Sequence, residues 1–152
     1  MTSPVRVVDR GAKRAMQLSK QPRLKLRIGV LPKDAGKKHL DSGETVGQIA
    51  LWAEFGTPAY KGRFWLQGWL DEEIDVIAQQ LAADTMRVIM AGDSERTALE
   101  RRGSVYRQQI EDRIRFSNAI RGNEPNTIAK KGFDLPLIDT EQFIEAIRWE
   151  VA

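Results

Sequence analysis

The stretch Arg23-Leu-Lys-Leu-Arg-Ile-Gly-Val-Leu31 constrains the fold of this chain more than any other. Leu24, Leu26, Ile28 and Val30 alternate with Arg23, Lys25, Arg27 and Gly29, and a period of two sends these sets to opposite faces of a strand. The aliphatic face has to be buried while the cationic face stays wet. That is the habit of an antiparallel sheet covered on one side. A second strand of this kind closes the chain, where Trp149 and Val151 alternate with Arg148 and Glu150. One or two weaker strands in the loops can join this pair.

The rest of the periodic sequence reads as helix. Asp9 to Lys20 places Ala12, Ala15 and Met16 on one face, with Pro22 as a stop. Val46, Ile49, Ala50 and Ala53 fall at helical spacing, with Thr45 positioned as a cap and Gly56 as the terminator. A long helix is expected from Gln67 to Ala91, its inward stripe being Leu70, Ile74, Ile77, Ala78, Leu81, Thr85 and Val88, opposed by Glu73, Gln80 and Asp84. Another is expected from Ser94 to Ser117 with Leu99, Tyr106, Ile110 and Ile114 inward, and Gly103 marks either a close contact or a second start. A short helix holding Phe143, Ile144 and Ile147 is capped by Asp139 or Thr140. Residues 32–44 and 118–134 read as long polar loops or arms, and residues 1–22 as a basic helical segment. The expected fold is therefore a single α+β domain over residues 1–152: a small antiparallel sheet packed against one long helix, that of Leu70–Val88, with additional helices.

Composition argues against several kinds of chemistry. There is no cysteine, which removes disulfides, thiolate metal sites and a cysteine nucleophile. The single histidine, His39, lies in the polar Lys37-Lys38-His39-Leu40 and is read as solvated. Acidic pairs such as Asp71-Glu72-Glu73 and Glu111-Asp112 decorate helices beside basic residues, as solvated helix faces do. No phosphate-binding glycine loop occurs. The expectation is a protein that is not an enzyme and takes no cofactor and no metal. No apolar run approaches the length that crosses a bilayer, and the start lacks the apolar stretch of a secretory signal, so no membrane partner is expected.

Charge is unevenly distributed. Residues 1–40 carry 11 Lys or Arg against two acids, whereas residues 41–152 carry 13 against 19. Arg23, Lys25, Arg27, Lys37 and Lys38 are accordingly candidate contacts to an acidic partner, either nucleic acid or a neighbouring subunit. No aromatic side chain alternates with the cations of Arg23–Arg27, so the stacking platform of single-strand binders is missing.

Two segments, taken together, resemble a known family. The first is Val46-Gly-Gln-Ile-Ala-Leu-Trp-Ala-Glu-Phe-Gly-Thr-Pro58 followed by Arg63-Phe-Trp-Leu66; the second is Asn126-Thr-Ile-Ala-Lys-Lys-Gly132, then Pro136-Leu-Ile-Asp-Thr140 and the closing Ile147-Arg-Trp-Glu-Val151. Their order and spacing, across about residues 24–151, are similar to those of phage tail-completion and neck proteins of the lambdoid minor tail-component type. Glu141 stands where that family has a glycine after the threonine, and the family's prolines around Arg63-Phe64 are absent.

The resemblance makes Glu54, Phe55, Gly56, Thr57, Arg63, Phe64, Pro136, Leu137, Ile138, Asp139 and Thr140 the candidate motif and assembly residues. It implies a structural virion protein assembled in the host cytoplasm. The protein would form a six- or twelvefold homo-oligomeric ring at the head–tail neck or tail end, as a connector, tail-completion or terminator protein. Its neighbours would be neck, connector, tail-tube or sheath proteins, with non-specific DNA contact in the lumen. Trp52, Tyr60 and Trp65 suit an interface, where aromatics are enriched; core packing is the competing assignment for Trp52 and Phe64. The alternatives are another phage assembly component, such as a baseplate or sheath-initiating protein, and a nucleic-acid-binding module unrelated to virions.

Overall fold

In a computed structural model, described for residues 9–40, 42–117, 120, 122, 125, 129 and 141–152, the two alternating segments pair as expected. β1 (Leu26–Val30) and β4 (Ile147–Val151) run antiparallel, from Leu26 opposite Val151 to Val30 opposite Ile147. Lys25 and Ala152 exchange both backbone hydrogen bonds, at 2.7 and 3.0 Å. By alternation, Arg27 with Glu150 and Gly29 with Arg148 are the bonded pairs within the ladder. The N–H and C=O groups of Leu26, Ile28 and Val30, and of Ile147, Trp149 and Val151, therefore point outward at the two edges. Leu26, Ile28, Val30, Ile147, Trp149 and Val151 share the apolar face.

That face is covered by α5 (Glu95–Phe116), which contacts both strands. The long helix expected to cover it, α4 (Gln67–Met90), packs on α5 instead. Gly103 explains the close approach of α5: a Cβ there would lie 2.5 Å from Cδ2 of Trp149. Ile110, Ile114, Ile144 and Ile147 are almost wholly buried between the layers. Trp65, Trp69, Tyr106 and Phe143 belong to the same core.

The length of α4 was legible in its periodicity, and of the expected stripe Ile77 and Val88 are buried and Leu81 packs against the core, but the rest of that stripe turns outward. Trp69, Ile77, Asp84 and Val88 are the buried residues, and Glu73 and Gln80 are half-buried. Leu70, Ile74, Ala78 and Thr85, expected inside, are exposed. The cause lies on α5. Arg102 reaches Asp84 through two hydrogen bonds of 2.6 and 3.2 Å, and the Tyr106 hydroxyl donates to Gln80 Oε1 at 3.1 Å. Polar groups that find such partners can be buried without the penalty that unsatisfied ones incur.

α1 (Arg10–Leu18) is capped by Asp9, whose Oδ1 accepts from the Ala12 N–H at 2.8 Å. It rests on the C-terminal half of α4 through Ala15 and Leu18, while Ala12 and Met16, expected inward, are exposed along with Lys13 and Gln17.

The polar segment 32–44 also departs from a plain loop. α2 (Pro32–Ala35) starts on a proline, and Lys38 bridges Thr45. Gln142 joins the segment to the C-terminal elements by donating to Lys38 O and accepting from the Leu40 N–H. Asp34 and His39 are buried here, so His39 is not the solvated side chain expected. Asp34 accepts from Lys37 and Arg148, and the Lys37 ammonium beside it holds its carboxyl below the usual range.

The C-terminal helix, α6 (Gln142–Glu145), is one turn long, and Ile147 belongs to β4 rather than to the helix. The expected caps Asp139 and Thr140, and most of the 118–134 segment, lie outside the described residues.

Candidate functional site: the α3–α4 junction and its cleft

α3 (Val46–Phe55) begins on the expected cap. Thr45 Oγ1 accepts from the Gln48 N–H while the Gln48 side chain accepts from the Thr45 N–H, a reciprocal capping box. The helix ends at Gly56 with φ +85°, a left-handed value that glycine adopts without penalty. A narrow ribbon follows, β2 (Gly56–Thr57) against β3 (Tyr60–Lys61), separate from the main sheet. The return is tight. A Cβ on Gly62 would lie 2.2 Å from Glu54 O, and the Arg63 and Phe64 N–H groups donate to Ala53 O and Glu54 O. Phe64 has φ +48°, which a proline, fixed near −65°, cannot take.

Glu54 is the hinge of this junction. It is 7% exposed, and its two carboxylate oxygens accept from the Leu66 and Gln67 N–H groups, each at 2.9 Å. The last turn of α3 thereby caps the first turn of α4, where Leu66 offers no side-chain cap of its own. A carboxylate at that end satisfies orphan donors and complements the helix dipole.

Trp65 is buried rather than presented at the surface. Its indole N–H donates to Ala50 O at 3.2 Å, and its ring meets Phe143 edge-on at 5.1 Å. Phe143 lies just beyond the second motif segment, so the chain brings the surroundings of the two motifs together here. Pro136, Leu137, Ile138, Asp139 and Thr140 themselves lie outside the described residues. Glu141, next in the chain, is described. It sits at φ +62° and its carboxylate is paired with Arg115, which also holds Glu111. The Arg115 guanidinium keeps the Glu141 carboxyl below its ordinary range.

Of the other motif residues, Phe55 and Phe64 are exposed, Thr57 and Arg63 half-buried, and Trp52 is half-buried. Phe64 is therefore not a core residue. Beside the junction opens an apolar cleft of 580 Å³ lined by Ile28, Val30, Leu51, Phe55, Leu66 and Leu70 among others. Leu51 and Leu70 were not singled out in the sequence as surface residues; Leu70 was expected inside and is exposed because α4 turns another face inward.

The basic strand face is less open than its sequence suggests. Arg23, Lys25 and Lys38 are exposed, but Arg27 pairs with Glu150 at 3.1 Å and Lys37 with Asp34. A continuous cationic track for a phosphate backbone is thus interrupted by internal acids. Compared with known proteins, the chain matches no family model, no curated protein and no solved structure. Among the described residues no group of three metal-ligating side chains occurs, and no helix is long and apolar enough to cross a membrane.

Proposed function

We propose that this protein is a non-enzymatic structural component of a tailed bacteriophage virion, a ring-forming subunit at the head–tail neck or tail end through which DNA passes. The observation that carries the reading is the left-handed backbone at Glu141, φ +62°, at the position where the resembled family has glycine. The residue type departs from the pattern while the backbone keeps the conformation for which glycine is suited. The exposed Leu51, Phe55, Phe64, Leu70 and Ile74 supply the apolar surface that a subunit of an assembly buries against neighbours.

The reading is tested on purified phage particles that encode the chain, by mass spectrometry and cryo-electron microscopy. The polypeptide is expected in stoichiometric copies in a ring at the neck or tail terminus; particles that are complete without it overturn the reading.

Glu141 itself gives a test of the motif. A left-handed non-glycine residue costs about 1–2 kcal/mol, while a half-exposed ion pair such as Glu141–Arg115 returns about 0–1 kcal/mol. Glu141→Gly is therefore expected to be as stable as the native chain or more stable by up to about 2 kcal/mol. Glu141→Ala, which loses the pair and keeps a Cβ, is expected to be the less stable of the two. Urea denaturation of both variants checks the order.

A further inference from the structure

The two edges of the main sheet are finished differently. On β4, the outward carbonyls of Ile147 and Val151 accept from Arg107 (2.9 Å) and Arg96 (3.1 Å) of α5. A cationic helix thus seals that edge. On β1, the outward backbone groups of Ile28 and Val30 have no hydrogen-bond partner among the described residues, and these two residues line the apolar cleft. Open N–H and C=O groups at alternate residues fit an added strand, which carries its own at the same spacing. α3 packs against β1, so a cleft of 580 Å³ beside it takes one extended segment rather than the sheet of a second folded domain. Gly29, between the two open residues, has φ +133°, and a Cβ there would face Leu66 Cδ2 at 3.5 Å. A glycine inside a strand marks a place where another backbone can come close.

Of the side chains lining the cleft, Glu54 alone is charged among the described residues. Its carboxylate accepts from the Leu66 and Gln67 N–H groups and keeps lone pairs for a further donor. A side chain opposite Gly29 on an added strand points to the Leu66 side, toward that carboxylate. The segment that fits is therefore extended, with a cation between two apolar residues. Val5-Arg6-Val7-Val8 has this pattern, in the stretch that precedes the described residues and ends at Asp9, the cap of α1. Valine is favoured in strands, and Pro4 suits the first position of one. In its own chain this segment is too far from the cleft. α1 meets α4 near Met90, which approaches Gly11. About twenty residues of helix, roughly 30 Å, separate Met90 from Leu70, whereas Val7 is tied to Asp9 by about 7 Å of extended chain.

Resting on the reading of a self-assembling ring subunit, we propose that the cleft between β1, α3 and α4 receives residues Val5–Val8 of a second copy of this chain as an added antiparallel strand. Val7 opposite Ile28 and Val5 opposite Val30 exchange backbone hydrogen bonds with the open edge. Their side chains extend the apolar face of the sheet, and Arg6, opposite Gly29, reaches Glu54. The donated segment and the receiving cleft are different surfaces, so the contact is heterologous; repeated, it builds chains that close into a ring.

The chain has no cysteine, which makes the test clean. In this register Val8 stands opposite Arg27, an exposed residue, as a non-hydrogen-bonded pair with Cα atoms about 4.5 Å apart, within disulfide reach. Val8→Cys with Arg27→Cys in the full-length protein, oxidised mildly at high concentration, is expected to give a ladder of disulfide-linked multimers on non-reducing gels. Val8→Cys with Ser104→Cys, the latter exposed on α5, is the control and is expected to stay monomeric.

Adding Arg6→Glu to the first pair is expected to lower the multimer yield at least about tenfold, a loss of about 1.4 kcal/mol in the contact. Adding Val7→Pro instead, which removes a ladder N–H, is expected to lower it as much. Both sites precede α1, and circular dichroism confirms that each variant is folded. In the chain without cysteines, amide exchange at Ile28 and Val30 is expected to slow as the protein concentration rises, and to stay fast in Val7→Pro. A yield equal to the control, a yield indifferent to both substitutions, or a product that stops at dimer overturns the proposal. So does exchange that ignores concentration or slows equally in Val7→Pro. Particles that contain the ring while the cross-link fails defeat this contact alone; cross-linking by a chain absent from particles defeats the virion reading alone.

Discussion

Replacing Glu54 with alanine is expected to destabilise the protein by about 3 kcal/mol, because hydrogen bonds to a charged group contribute about 1.5–3 kcal/mol each and part of that is offset by burying the carboxylate. Its oxygens hold the Leu66 and Gln67 N–H groups at the start of α4, and neither donor has another acceptor in place once the carboxylate is gone. In a chain of 152 residues such a loss lowers the melting temperature by about 10 °C. Glu54→Gln keeps one acceptor and is expected to lose about half as much. The effect belongs to the junction rather than to α3 alone. A variant of Gln48, which completes the capping box of Thr45 at the other end of α3, is expected to cost about 1 kcal/mol. Calorimetry of the three variants separates the two ends; a Glu54→Ala protein as stable as the native one would show that Glu54 does not tie α3 to α4.

The same residue shows what the sequence can and cannot disclose. Glu54-Phe-Gly-Thr57 reads as a helix end on local grounds alone, and so it proves, with Gly56 left-handed. That the glutamate caps the next helix depends on a return through Gly62 and Phe64 that brings N–H groups 12 and 13 residues onward back to it. No local pattern encodes this.

The strands were legible because a period of two survives in both and one face of each is buried. Gly103 was legible as an anomaly, and Trp149 supplies its reason. The phase of α4 was not. Hydrophobic periodicity assigns polar residues to water, whereas Asp84, Gln80 and Glu73 turn inward, the first two to meet Arg102 and Tyr106 of α5. Leu70 and Ile74 are displaced to the surface by the same rotation, and the cleft beside Leu70 exists for that reason. The inward turn of His39 was hidden in a similar way, since its surroundings in the sequence are lysines while its surroundings in space include the Lys38–Thr45 bridge.

The ion pair that sets this phase carries the other large expected effect. Asp84→Ala is expected to destabilise the protein by about 3–4 kcal/mol, since removing one partner of a buried pair leaves the other charge uncompensated. The Asp84 side chain is 11% exposed and that of Arg102 20%, so little solvent is at hand to take over. The double variant Asp84→Leu with Arg102→Met exchanges the pair for apolar groups of similar size and is expected to recover most of the loss, because buried pairs are often no better than well-packed hydrophobic replacements.

The pH dependence separates a broken ion pair from a simple packing defect. The Arg102 guanidinium holds the Asp84 carboxyl below its ordinary range in the folded state. Its stabilisation is therefore fully present above the unfolded-state value near pH 4, and is lost as the pH falls through the lower folded value. Asp34 and Glu141 are lowered in the same sense by Lys37 and Arg115. The native protein is accordingly expected to lose stability steeply below about pH 4. The double variant, with no carboxyl at that position, is expected to lose it less steeply there, while remaining parallel to the native curve between about pH 5 and pH 8. Denaturant midpoints measured from about pH 2 to about pH 8 decide the matter. Curves that stay parallel below about pH 4 would mean that Asp84 is not ionised against Arg102 in the folded chain, and the rotation of α4 would then need another cause.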